Sequence, residues 1–305
     1  MRCYLATILI LGSFCARGTV EAQIHVVATI PSLGALATEV GGEHVEVRSL
    51  AAPNQDPHFV DGRPSMALLL NRADLLIHVG LGRESGWLPP LLTNARNGRL
   101  QPGRSGNLDT SSICGALLGV RGRDRRFGDI HPAGNPHFLY DPRYGVRVAQ
   151  AIADRLAAID PAHARDYRAG YEGFARRMRA RIAEWESLMA PFRGQAVVGY
   201  HESLVYLARW LGLRETGFIQ PLPGIPPNPR HLARLILEMR SEGARVVLVE
   251  PWYEAETSRV VAERTGATVV RLPGDVGAAH VRSYTELIDR VVQSIHRALS
   301  GAGRR

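Results

Sequence analysis

Between Asp160 and Met189 the chain carries a single apolar stripe: Tyr167, Tyr171, Phe174, Met178, Ile182, Trp185 and Leu188 recur at intervals of three and four. That spacing predicts one amphipathic helix, roughly 45 Å long at 1.5 Å per residue, with an arginine-rich opposite face. Asp160-Pro161 reads as its start, with aspartate as N-cap and proline at the first helical position. Such a helix is long enough to traverse the molecule. The plainer alternative is a long solvated helix lying on one domain.

The flanking sequence shows the same rhythm twice. Ile24–Ile30, His44–Leu50 and Asp74–Val79 have strand character, and helical spacing covers 31–40, 66–73 and 80–92. From Thr93 to Asn135 the pattern weakens into a long loop rich in glycine, proline and arginine, before a helix over 142–159. After Pro191, strands at 195–200, 245–250 and 268–272 alternate with helices at 201–213, 230–243, 254–265 and 283–299. Strands alternating with helices predict parallel sheets. The fold expected is α/β, two Rossmann-like parallel-sheet lobes bridged by one long rigid helix. The lobes cover 23–159 and 191–305, with 160–190 as the link.

The first 22 residues stand apart. Arg2, an apolar run from Tyr4 to Phe14, and Val20-Glu21-Ala22 before Gln23 read as a secretory signal cleaved after Ala22, which places the mature protein in the periplasm. The bulky Phe14 before Cys15 argues against a lipoprotein anchor. Cleavage leaves Cys114 as the lone cysteine, so no internal disulfide forms and stability comes from packing. The net charge of +8 comes from arginine alone, since the chain holds no lysine. These arginines are scattered rather than clustered on a face, which excludes nucleic acid as the expected partner.

Two Pro-His-Phe triplets recur about eighty residues apart, in Asp56-Pro57-His58-Phe59 and Asn135-Pro136-His137-Phe138. Proline fixes its own φ and restricts its predecessor, so each histidine sits on a stiff loop suited to a metal ligand. In open parallel sheets ligands bind beyond the carboxyl ends of strands. His58, His201 and Asp275 each follow such an end, and Glu250 closes another. His58 and His137 from one half and His201 and Asp275 from the other therefore form the expected metal site. Three imidazoles and one carboxylate suit tetrahedral Zn²⁺, and Mn²⁺ is the alternative cargo. A single histidine here is more simply a loop or cap residue; the four together carry the reading. His131 reads as a bystander. An exported zinc hydrolase is the rival class, with Glu202 or Glu250 as base, but four protein donors close the position that catalytic water needs and no HExxH helix is present. Glu250 is more simply a loop-anchoring acceptor.

Asp56-Pro57-His58, followed by Ala73-Asp74-Leu75 and Gly80-Leu81-Gly82-Arg83-Glu84, resembles the first lobe of the cluster A-I solute-binding proteins. These are the zinc- and manganese-binding components of bacterial ABC importers. Asn135-Pro136-His137 with Asp141-Pro142 is similar to that family's second histidine motif, and Tyr200-His201 with Tyr206 and Gly212-Leu213 to its third. Asp275, two residues after Pro273, falls where the family places its last carboxylate ligand. The resemblance implies metal in the interlobe cleft, no enzymatic activity and a monomer. It implies a permease with its ATPase as partners and a periplasmic metallochaperone as a further candidate. Two departures stand out. Asn135 replaces the usual aspartate, and the loop before it lacks the His/Asp/Glu-rich tract of many zinc importers. A surface adhesin on the same fold is a third class.

Overall fold

The computed structural model describes residues 23–113, 134–222 and 224–302. The signal segment, Cys114, the arginine cluster at 121–129 and His131 lie outside them. The first lobe runs β1 (Ile24–Ala28), α1 (Pro31–Gly41), β2 (Val45–Ser49), α2 (Pro64–Arg72), β3 (Leu75–His78), α3 (Leu88–Ala95) and β4 (Asn107–Asp109). Its strands are all parallel, in the order β2-β1-β3-β4. Two helices follow, α4 (Pro142–Ile159) and α5 (Ala164–Met189). The second lobe runs β5 (Ala196–Gly199), α6 (Val205–Leu211), β6 (Arg214–Phe218), α7 (Pro229–Glu242), β7 (Val246–Val249), α8 (Ala255–Thr265), β8 (Thr268–Arg271) and α9 (Tyr284–Ala302). It repeats the order as β6-β5-β7-β8, again all parallel. Both sheets thus have a switch point beside their first strand, where ligand clefts form.

Burial on both faces explains the near-continuous apolar strands of the second sheet. Val197, Val246 and Leu248 face a large core that also takes in the first lobe, α4, α5 and α9. Their neighbours Ala196, Val198, Val247 and Val249 face a smaller core with Leu235, Met239 and Val261. The alternation follows from the two-residue period of a strand.

The linking helix α5 has 26 residues and begins at Ala164, three residues later than the sequence suggests. Asp160 does not cap it. Its carboxylate instead takes His163 Nδ1 at 2.6 Å and the Tyr167 hydroxyl at 2.7 Å, and a short 3-10 turn intervenes over Pro161–His163. The front half of α5 lies hard against α1: a Cβ at Gly170 would come within 2.4 Å of the Val40 carbonyl oxygen. The rear half grips the second lobe. Trp185 meets Trp210 edge-to-face with ring centroids 6.0 Å apart and donates to Asp289 on α9 at 2.9 Å, while Trp210 donates to Glu186 at 2.8 Å. Among the described residues no helix is long and apolar enough to cross a membrane.

Three elements differ from the sequence reading for local reasons. The helix expected over 80–92 forms only from Leu88. Gly80, Leu81 and Gly82 all take positive φ, because the buried Glu84 carboxylate draws the backbone N–H groups of Val79 (2.8 Å) and Gly80 (3.1 Å) onto itself. The long loop contains β4, only three residues long, and β6 is an edge strand whose Arg-Glu-Thr-Gly-Phe sequence has no apolar run. Short or edge strands lack the periodic signal.

Candidate metal centre

Asp56-Pro57-His58 and Asn135-Pro136-His137 fold into the same device. In each, the side-chain oxygen of the first residue accepts the backbone N–H of the histidine two positions on, an Asx turn that proline stiffens. Asp56 Oδ1 accepts His58 N at 3.0 Å and pairs with its ring Nδ1 at 2.7 Å. Asn135 Oδ1 does the same for His137, at 2.9 Å to both nitrogens. The third histidine is held from another element: His201, two residues past β5, sets Nδ1 3.0 Å from Gln220 Oε1, just beyond β6. An oxygen acceptor at every Nδ1 selects the tautomer whose Nε2 carries the lone pair, the form that ligates metal.

The three rings converge. His58, His137 and His201 are all buried, and one potential ligand nitrogen of each lies within 4.8 Å of the others. Ring centroids are 5.1 Å apart for His58–His137, 5.3 Å for His137–His201 and 5.9 Å for His58–His201. Tetrahedral zinc with Zn–N near 2.0–2.1 Å needs nitrogens about 3.3 Å apart, so a small inward adjustment closes the cage. His201 Nε2 is buried with no hydrogen-bond partner among the described residues. Burial, reinforced by the nearby His58, pushes His201 down to about 3, so it stays neutral and ready to ligate.

Asp275 does not join this group. Its carboxylate takes the Ser32 hydroxyl, across the cleft on α1, and the backbone N–H of Val276 at 2.7 Å. Its own N–H donates to the Pro53 carbonyl at 2.6 Å. Burial raises its pKa, against those hydrogen bonds and the Arg83 charge. Asp275, Ser32, Arg83 and His137 line one cavity of about 30 Å³ between the lobes, room for about one water. Asp275 thus stands beside the histidines but faces the other lobe's serine.

Several neighbours escape sequence reasoning. Arg83 is buried, and its charge bears on the whole centre: it lowers the pKa of Asp56, Asp275 and Glu250 and disfavours protonation of His201. For Asp56, burial works upward but is outweighed by the hydrogen bonds and charge of His58, leaving a lowered pKa. Glu250 accepts from the loop that follows His201. One oxygen accepts the Ser203 hydroxyl, while the other has no partner among the described residues. Gln220 gives no signal because β6 gives none.

The substitution at Asn135 has a structural role. Its oxygen performs what aspartate would, and its Nδ2 donates to the Glu202 carbonyl at 2.7 Å, a bond a carboxylate cannot make. One amide therefore orients His137 and ties its loop to the residue beside His201. Asn135→Ala is expected to weaken metal binding by about 10–100-fold, the usual effect of removing a ligand's supporting partner. Titration against a competing chelator measures it; an affinity within two-fold of wild type would mean the loop is held without the amide.

Comparison with known proteins gives a consistent picture. The family of periplasmic zinc-uptake complex component A proteins matches residues 26–298. The chain is 26% identical over 310 residues to the high-affinity zinc uptake system protein ZnuA of Paracoccus denitrificans, covering 89% of this chain and 90% of that one. It is 24% identical over 285 residues to the iron-binding protein YfeA of Yersinia pestis, covering 90% and 85%. A crystal structure of ZnuA superposes with a TM-score of 0.75 at 23% identity, covering 90% of this chain and 99% of that one, a likeness of fold.

Proposed function

Because the chain belongs to the family of periplasmic zinc-uptake complex component A proteins, a family of substrate-binding transport components and not of enzymes, we propose that it captures Zn²⁺ outside the inner membrane and hands it to the permease of an ABC importer. The hydrolase reading falls with that membership. The observation that carries the proposal is the convergence of His58, His137 and His201, buried, drawn from both lobes, each with its ring set by an oxygen at Nδ1. Three imidazoles favour zinc over manganese, which prefers more oxygen ligands. The iron-binding relative shows why the donor set alone does not name the metal.

The fourth donor we assign to Asp275, which exchanges its Ser32 bond for the metal. Arg83, a fixed cation beside the cage, opposes the bound charge and helps release. The signal segment supports export to the periplasm, and the permease with its ATPase are the partners this reading requires. A metallochaperone is a further partner it accommodates. The lobes correspond to 23–159 and 191–305, joined through 160–190.

Metal analysis of protein purified without added metal, followed by Zn²⁺ against Mn²⁺ competition calorimetry, tests the assignment. Zinc at one equivalent, displacing manganese, is the expected result; predominant manganese overturns it. In the same assay Asp275→Ala is expected to bind more weakly, and an unchanged affinity removes Asp275 from the site.

A further inference from the structure

Arg83 is 7% exposed, yet its guanidinium makes no hydrogen bond or ion pair among the described residues, and its Nε is sealed from solvent. A guanidinium offers only donors, and burying one without a counter-charge in contact is costly. The carboxylates nearby are engaged elsewhere: Asp56 with His58, Asp275 with Ser32 and Val276, Glu250 with Ser203. They act on Arg83 through space alone. The interlobe cavity of about 30 Å³ is lined by Arg83 together with Ser32, His137, Tyr140, Trp252 and Asp275. Two further donors meet Arg83 there. Trp252 Nε1 is buried with no hydrogen-bond partner among the described residues, the Tyr253 phenol lying near it but outside hydrogen-bond geometry. The Tyr140 hydroxyl makes no hydrogen bond among the described residues either. Burial, with the charges of Glu250, Asp275 and Asp56, keeps that phenol protonated and able to donate.

The cavity thus gathers N–H and O–H donors from both lobes, one of them cationic, around a space for one water-sized species. That size admits a single-atom anion and excludes sulfate or phosphate. Charge points the same way once metal is bound. Arg83 offsets Asp56, whose pKa is lowered, while Glu250, pushed up to about 8 chiefly by burial, is protonated at neutral pH. A divalent metal with the Asp275 carboxylate then leaves one net positive charge in a buried site. A water accepts two of the donors and leaves that charge standing; one halide satisfies the donors and cancels it.

We propose that the cavity is a halide site, in which one chloride-sized anion seats against Arg83 Nε with Trp252 Nε1 and the Tyr140 hydroxyl as further donors, and strengthens metal capture by pairing the cation that opposes the metal. The proposal rests on the metal-capture reading. Coupling of this kind is reciprocal, so the metal-loaded protein holds the anion more tightly than the metal-free protein does. Loss of the halide restores the full opposition of Arg83 and favours release.

The test measures zinc affinity by chelator competition in sodium chloride and in sodium gluconate at one ionic strength, gluconate being too large for the cavity. The wild type is expected to bind zinc about ten-fold more tightly in chloride. Arg83→Met, which removes the cation and keeps the apolar stem, is expected to bind zinc alike in both salts. Complexation of free zinc by chloride is common to both proteins and cancels. Trp252→Phe keeps a ring without the N–H and is expected to lose more than half of the chloride effect, which leaves the proposal testable should Arg83→Met fail to fold. Zinc-loaded crystals grown in bromide are expected to show an anomalous peak within hydrogen-bond reach of Arg83 Nε. Equal wild-type affinity in the two salts overturns the proposal and gives the cavity to water. A chloride effect undiminished in the variants overturns it as well, and so does a bromide peak on the metal itself, which would make the halide a metal ligand. A wild type that binds no zinc in either salt sinks the capture reading, whereas zinc binding indifferent to chloride sinks the halide site alone.

Discussion

Replacing His201 with alanine is expected to weaken metal capture by about two-hundred-fold. Structural zinc sites bind with apparent energies of roughly 10–16 kcal/mol across four ligands, so one imidazole accounts for about 3 kcal/mol, and each 1.4 kcal/mol is a factor of ten. His201 is the informative candidate ligand because its Nε2 has no partner among the described residues and its Nδ1 is bound to Gln220. Its imidazole is held neutral down to about 3 by burial, so proton competition at this ligand begins only near that value. Chelator competition at pH 7.5 and 5.5 measures both points. Circular dichroism confirms that the variant folds. A folded variant with an affinity within ten-fold of wild type would remove His201 from the centre.

Glu250→Gln is expected to flatten a fall in the stability of the metal-free protein between pH 4.5 and 8. Glu250 is pushed up to about 8, chiefly by burial, with the Asp56 charge adding and its own backbone N–H opposing. The unfolded chain releases this proton near 4.5. Between those values the folded state therefore holds a proton that the unfolded state has lost, and stability falls as pH rises, by about 1.4 kcal/mol per unit. Glu215, also pushed up to about 8 by burial and by the charges of Glu250 and Glu202, contributes the same slope. His201 acts in the opposite sense. Its folded value is about 3 against 6.5 unfolded, so its contribution is present above 6.5 and lost as pH falls toward 3. The three together give a net fall of about 1.4 kcal/mol per unit from 4.5 to 6.5, and about twice that from 6.5 to 8. Urea midpoints at pH 5 and 7.5 measure the slope. The glutamine variant should lose about one proton's worth of it, whereas an unaltered profile would mean that Glu250 is ionised in the folded protein.

Sequence patterns carried the architecture where elements are long or doubly buried. The α5 stripe and the apolar runs of β1, β3, β5 and β7 are legible because burial on one helix face or both sheet faces imposes a period. β4 and β6 are not, being too short or too polar at an edge to show one. The histidine loops were legible from proline chemistry, since Asx-Pro-His fixes backbone and ring together. What supports His201 was not. Gln220 comes from an element that the pattern does not reveal, and nothing local marks Arg83 as buried. Asp275 was placed near the centre by its strand end, but side-chain direction depends on Ser32, 243 positions away in sequence.

The large apolar core ignores the division into lobes. It runs from β1 and α1 through α4 and α5 to Val246, Leu248 and the inward face of α9. Two bodies that share one continuous interior cannot lose it piecemeal, since unfolding either strips the other's buried surface. Their melting is therefore expected to be a single cooperative transition, with calorimetric and van't Hoff enthalpies in agreement. Denaturation as one unit would leave any motion at the cleft to its loops, and place thermal failure everywhere at once.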